Sequence, residues 1–251
     1  MRIKKSYLKT SALALVLLSA TALSESFGAL PDFAAIKDVS TMKRAFYSHM
    51  VPIVEYQNDA ILSHRETLLA LRSEFDESGE LGWLSKRSFA QLTEVYELDG
   101  GDLTTAELLT ELELRIDIVP ADIALVQAAK ESGWGRSRFA VSYNNLFGQW
   151  CYKPGCGAVP KRRPEGERYE VAKFDDVSES VRRYMNNLNT HQRYANFRLL
   201  RAQRRAANQS LDGDVLAAGL LGYSQRGQIY VDEVSSMIRA NKSLLAEVSA
   251  N

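Results

Sequence analysis

The run from Ile116 to Gly135, "IDIVPADIALVQAAKESGWG", constrains the fold more than any other part of this 251-residue chain. Extended apolar residues lead into Pro120, whose fixed φ suits the start of a helix, and an Ala-rich helix then runs to Gly133. Between Ile123 and Ala129 that helix is apolar almost all round. It must therefore be covered on most sides by other elements. A charged residue at its tail is conspicuous, and Glu131 occupies that place, followed at once by Ser132, Gly133, Trp134 and Gly135.

The remaining sequence supplies the cover. From Pro31 to Glu113 apolar residues recur at three- and four-residue spacing, which predicts several helices. "DESGELG" and "LDGGDLT" are the turns that separate them, and Pro52 should kink or restart the first. This half shows no recognisable chemical constellation, so its aromatic residues and methionines read as core. Beyond the buried helix, Asn144 and Asn145 break the helical pattern. The segment from Val159 to Phe174 turns to Pro, Gly, Lys, Arg and Glu, and "RYEVAKF" alternates as a short strand, which predicts a β-hairpin. Helical periodicity returns after it, with Asp212 and Gly213 marking one start. The expectation is a mainly α (α+β) chain: an N-terminal helical region over residues 23–114, then a helical domain with a small β-lobe over 115–251.

Residues 1–9 are basic, and the run "SALALVLLSATAL" from Ser11 to Leu23 is short for a membrane span. This reads as a signal peptide over residues 1–22, cut after Ala22, with an uncleaved anchor as the alternative. It implies a periplasmic or cell-envelope protein. The chain carries 31 basic and 31 acidic residues. Removing the leader takes away Arg2, Lys4, Lys5 and Lys9 and leaves 27 against 31, a net −4. That balance argues against wrapping duplex DNA, so no nucleic-acid partner is expected.

Cys151 and Cys156 flank a Pro-Gly turn in "CYKPGCG". In an exported chain this spacing suggests a disulfide that pins one loop; two free thiols are the alternative. The three histidines His49, His64 and His191 are scattered in no ligand spacing, so neither a metal nor a cofactor is expected.

The placement of Glu131 suggests chemistry. A carboxyl at the end of a buried helix beside Trp134 would be poorly solvated and could hold a proton for donation. A general acid in glycoside hydrolysis needs such a group, to protonate the departing glycosidic oxygen. The plainer alternative is a helix-terminal Glu that faces water or pairs with Arg136 or Arg138. A second carboxylate could come from Glu165, Glu167 or Glu170. Period-two alternation sets Glu170 on the side of Ala172 and Phe174, which favours Glu170, although all three could be solvated partners of nearby arginines. Arg198, Arg201 and Arg205 recur at helical spacing, either as a basic stripe for an acidic polymer or as a solvated face.

"AAKESGWGRSRFAVSYNNLFG" resembles the signature of the family 73 glycoside hydrolases, bacterial N-acetylglucosaminidases, and the likeness extends from about Ile118 to Met237. The resemblance implies a lysozyme-like fold, a helical lobe with a small β-lobe across a cleft, and peptidoglycan glycan strands as partner. It implies that Glu131 is the general acid. Trp134, Asn145, Phe147 and Gly148 would contact substrate, with the Asn145 amide and the backbone at Gly148 positioning sugar groups. Tyr223 matches the first tyrosine of the family's G-Y-A-T-D-P-x-Y motif and would line the catalytic subsite. Here the segment reads "GYSQRGQIY": the Asp-Pro pair is missing and the second tyrosine, Tyr230, lies one residue further on. The implied activity is cleavage of β-1,4 bonds after N-acetylglucosamine. A lytic transglycosylase and a non-catalytic peptidoglycan scaffold are the alternatives, and the N-terminal helical region leaves room for an envelope protein partner.

Overall fold

The computed structural model describes residues 27–161 and 163–250; the leader expected over residues 1–22 lies outside the described residues. The chain is mainly helical, with one small antiparallel sheet. Helix α1 (Val39–Ser78) is 40 residues long. Asp38 caps it by accepting from the Thr41 amide at 2.8 Å, and Gly79 ends it in the left-handed conformation with φ 78°. Pro52 does not restart this helix, contrary to expectation. It sits on the exposed face, as does Ser48 four residues earlier, so water can satisfy the carbonyl that the missing N–H leaves free.

Helices α2 (Trp83–Val95) and α3 (Thr105–Arg115) follow, α3 opening with a capping box between Thr104 and Glu107. Helix α4 (Ala121–Ser132) is the buried helix of the "ADIALVQAAKES" run. Ile123, Leu125 and Val126 on it are all but inaccessible, each contributing about 1.5–3 kcal/mol by burial. Helix α1 packs against α4, α6 and α10 as well as against α2 and α3. One continuous cluster of buried residues joins Phe33, Phe46 and Met50 to Leu125, Tyr184 and Val248. Residues on the two sides of position 114 therefore share a single core, and α1 is one of its walls.

Helix α5 (Arg138–Tyr143) leads to strands β1 (Trp150–Cys151), β2 (Gly157–Ala158) and β3 (Glu170–Ala172). The expected hairpin is present as β2 paired antiparallel with β3, and β1 adds a third strand, giving a sheet in the order β1-β3-β2. The Cys151–Cys156 disulfide folds its loop back, so both arms of that loop pair with β3. Helices α6 (Val177–Thr190), α7 (Ala195–Ala206), α8 (Gly213–Leu216), α9 (Gln228–Ala240) and α10 (Lys242–Ser249) complete the body. No helix among the described residues is long and apolar enough to cross a membrane.

The arginines of α7 are neither a polymer-binding stripe nor a solvated face. Arg201 is 1% exposed and donates to the carbonyls of Leu114, Asp117 and Ile118 and to Asn189 Oδ1. Arg205 makes a two-pronged pair with Asp117, both contacts 2.9 Å, and Arg65 of α1 approaches the same carboxylate at 3.8 Å. Burial pushes Arg201 down to about 10, offset by the Asp117 charge. The free carbonyls at the end of α3 need donors, and this cluster supplies them while tying α1, α3 and α7 together.

Candidate active site

Glu131 lies in the last turn of α4, one helical turn after Gln127. Of the two readings of Glu131, poorly solvated or facing water, the structure shows the exposed one, because α4 emerges from the core at its last turn. Trp134 does not shield it. Gly133, Trp134 and Gly135 all adopt positive φ, at 59°, 62° and 73°, and this left-handed turn swings the indole toward α1. There it meets Phe46 and Tyr47 edge-on, with ring centroids 5.8 and 5.1 Å away. Its ring contacts thus anchor the motif to the N-terminal helix.

The partner of Glu131 is Tyr230 of α9, which donates its hydroxyl to Glu131 Oε1 at 2.7 Å. The bond belongs to a directed chain. Tyr184 of α6 donates to Gln127 Oε1 at 2.5 Å, Gln127 Nε2 donates to the Tyr230 oxygen at 2.8 Å, and Tyr230 donates onward. Gln127, Tyr184 and Tyr230 are all buried. Burial, reinforced by the Glu131 charge, pushes the Tyr230 hydroxyl far above the ordinary phenol range, so it remains a donor at any working pH. Tyr184 and Tyr223 are raised too, first by burial and then by neighbouring groups.

Aromatic rings frame this chain. Tyr223 stacks on Tyr230 with centroids 5.2 Å apart and planes at 11°, and Phe147 stacks on Tyr184 at 3.9 Å and 6°. The Tyr223 hydroxyl donates to the Phe147 carbonyl at 3.4 Å, which joins the "NLFG" turn to the tyrosines. The extra residue before Tyr230 is absorbed by a turn ending at Gly227, whose φ of 54° and ψ of −121° suit only glycine comfortably. Tyr223, Tyr230, Phe147 and Glu131 are thus brought together.

Other expected residues have different surroundings. Asn145 is buried, donates to the carbonyls of Gln149 and Ala172 at 2.8 and 2.9 Å, and accepts from the Gln149 amide at 2.9 Å. Both amide hydrogens are used internally, so it fastens the turn to β3 rather than offering them to a sugar. Gly148 is exposed, and its φ of 64° shapes the turn. Glu170 does share a face with buried Ala172 and Phe174, yet its two oxygens accept from the amides of Gly155 and Gly157 at 3.1 and 2.9 Å. Those bonds hold its carboxyl below the usual range. In this arrangement Glu170 acts as a clamp on the disulfide loop, with both carboxylate oxygens engaged by backbone amides. Cys151, Cys156 and Glu170 offer atoms within 4.8 Å of one another, but the sulfurs are bonded to each other and offer no thiolate to a metal.

Sequence reasoning missed Gln127, Tyr184 and Glu233. Gln127 had a readable signal: it is polar inside an otherwise apolar helix and lies four residues before Glu131, on the same face. Tyr184 had none. Glu233 accepts from Lys130 at 2.6 Å and from Arg226 at 3.0 Å, and these cations push it down to about 2. It stays ionised and pins the start of α9 to the tail of α4. A separate cavity of about 100 Å³ lies between α1, α2 and α6. It is lined by residues including Gln57, His64 and Arg182, none of them part of the Glu131 network.

The sequence has known relatives. Residues 106–243 match the family model Glucosaminidase, described as mannosyl-glycoprotein endo-beta-N-acetylglucosaminidase. "Protein bax" of Escherichia coli (strain K12) is 32% identical over 223 residues, covering 89% of this chain and 78% of that protein. No solved structure matches.

Proposed function

The chain belongs to the glucosaminidase family of glycoside hydrolases, and from that premise we propose that it cleaves the glycan strands of peptidoglycan in the cell envelope, at β-1,4 bonds after N-acetylglucosamine, with Glu131 as proton donor. The observation that carries the reading is the Tyr230–Glu131 hydrogen bond, backed by a buried chain of fixed polarity. It supplies a carboxyl that is accessible to a polymer yet held in one orientation, as a general acid must be. Glycan laid over the exposed carboxyl would exclude the water that now reaches it.

In the proposed step Glu131 gives its proton to the glycosidic oxygen as the bond to the anomeric carbon breaks. With both Glu170 oxygens bound to backbone amides, the attacking group that fits best is the substrate's own N-acetyl oxygen. It closes a cyclic intermediate; water then opens this with Glu131 as base, and configuration is retained. The same commitment of Glu170 favours one second reading, a lytic transglycosylase, in which a lone acid suffices and a sugar hydroxyl closes an internal anhydro ring.

Digestion of purified sacculi followed by mass spectrometry of the new chain ends tests both. Reducing N-acetylglucosamine ends support hydrolysis; anhydro-muramic ends replace it with the transglycosylase. Glu131→Gln keeps shape and most hydrogen bonding but has no transferable proton, so it should release new ends at least about 100-fold more slowly. Release at the parent's rate by this variant would refute Glu131 as the acid. Binding of sacculi without cleavage by parent and variant alike would favour a scaffold.

A further inference from the structure

The outer face of the small sheet carries an unusual investment of rigidity in exposed aromatic rings. Trp150 pairs with Val171 across β1 and β3, and Cys151 with Glu170. Directly paired residues share a face and neighbours alternate, so Trp150 and Val171 lie on the face opposite the disulfide; Tyr169 joins Trp150 there by stacking, and Tyr152 follows two residues after Trp150. Trp150 is 48% exposed and Tyr152 69%, and Trp150 stacks on Tyr169 with centroids 4.1 Å apart and planes at 15°. Beneath them every support is fixed: the disulfide, the Glu170 clamp on Gly155 and Gly157, and Gln149 bonded to Ser180 of α6. Gly157 is needed for this closeness, since a Cβ there would collide with the Val171 carbonyl.

We propose that the Trp150–Tyr169 pair, with Tyr152, is a second glycan-binding subsite, a platform on which the apolar face of an amino-sugar ring of the strand stacks. The inference rests on the peptidoglycan reading and extends it beyond the catalytic subsite. Three observations select this occupant. The platform is close in the chain to the candidate active site: Trp150 follows Phe147 by three residues, which limits their Cα separation to about 11 Å. Its charge is complementary: residues 150–173 hold six basic and three acidic side chains in a chain balanced overall, which suits a polymer whose stem peptides carry carboxylates. Its chemistry is suitable: Trp and Tyr present a flat apolar surface with a polar edge, matching a pyranose ring with one C–H face and a rim of hydroxyl and amide groups.

The test uses the full mature chain carrying Glu131→Gln, so that glycan is bound without being cut. Pull-down on purified sacculi and titration with a soluble β-1,4 N-acetylglucosamine tetramer, followed by tryptophan fluorescence, give affinity. Trp150→Ala should weaken binding about tenfold, the scale of one ring's stacking, and abolish the fluorescence change. Trp150→Phe should restore most of the affinity, and Tyr152→Ala, a change at a highly exposed side chain, should weaken it less. In the active protein Trp150→Ala should raise KM on sacculi with kcat held. If Trp150→Ala binds and cuts like its parent, the platform is refuted and the catalytic reading stands. If the parent neither binds nor cuts glycan, the peptidoglycan reading fails and the platform falls with it. Binding lost with Trp150→Ala and not regained with Trp150→Phe, alongside a lowered melting temperature, would refute stacking in favour of a folding role.

Discussion

Removing one oxygen atom tests the hydrogen-bond chain behind Glu131. Tyr230→Phe keeps the ring stacked on Tyr223 but deletes the hydroxyl that accepts from Gln127 and donates to Glu131. Gln127 is fully buried, so its Nε2 loses a partner where no water replaces it. Leaving such a donor unpaired costs about 1–3 kcal/mol. At about 2–4 °C per kcal/mol for a chain of this size, the melting temperature should fall by about 2–12 °C. The lost bond to the carboxylate, worth about 1.5–3 kcal/mol, should lower kcat about 10- to 150-fold and leave KM nearly unchanged. The control is the triple variant Tyr184→Phe, Gln127→Leu, Tyr230→Phe. It removes every polar member together and should regain stability relative to Tyr230→Phe alone, though not activity. Circular-dichroism melts and release of reducing ends from sacculi supply both readouts. If the single variant melts within about 1 °C of the parent and the triple is less stable still, the chain as described does not exist and Glu131 is oriented by something else.

Acid should weaken the Asp117 cluster. Burial opposes ionisation of Asp117, but Arg205, Arg201 and Arg65 outweigh it and lower its pKa. A depressed folded value stabilises the protein above the unfolded pKa of about 4, and that stability is lost as pH falls through the folded value. Asp117→Asn should therefore flatten the acid limb of the melting temperature against pH, while Asp117→Ala should cost about 3–5 kcal/mol in denaturant unfolding, because it removes the carboxylate bonded to Arg205 and the opposite charge beside buried Arg201. Glu170→Gln distinguishes clamp from catalyst: its amide NH2 must face one of two backbone donors, so the melting temperature should fall. Loss of a catalytic carboxylate would instead cut kcat on sacculi by about 100-fold or more without such a fall.

The legible parts of the fold were those in which a local rule and the tertiary structure agree. Pro120 and Gly133 bracket α4 because nothing in its neighbourhood contradicts helix propensity, and Asp212 likewise marks the start of α8. The likeness carried Glu131, Tyr223 and Tyr230 to one place even though the spacing between the tyrosines differs by a residue. Illegible parts depended on a backbone reversal or on long-range hydrogen bonding. Helical continuation would set Trp134 near Glu131, and only three successive positive φ values turn it toward α1. The α7 arginines look like surface residues by composition. Arg198 and Arg201 are buried and Arg205 is held at the surface, because carbonyls at the end of α3 and the Asp117 carboxylate, more than eighty residues earlier, need donors. Glu170 faces inward as period two demands, but alternation cannot say that two glycine amides await it.

The N-terminal helix contributes to the site through the second glycine of "ESGWG". A Cβ on Gly135 would lie 2.7 Å from a ring carbon of Phe33 and 3.3 Å from one of Phe46, so the motif's turn is pressed directly against the chain that leads into and forms α1. Ser132 holds the same turn from the other side, accepting from the Gly135 amide at 2.7 Å while donating to the Ala128 carbonyl at 2.6 Å. The left-handed turn that ends α4 beside Glu131 is thereby fixed between α1 and α4's own last turn. Removal of α1 would take away Phe46 and Tyr47, the rings against which Trp134 packs, and so expose Trp134 and release that turn. Helix α1 thus closes the core against which the helix carrying Glu131 is braced.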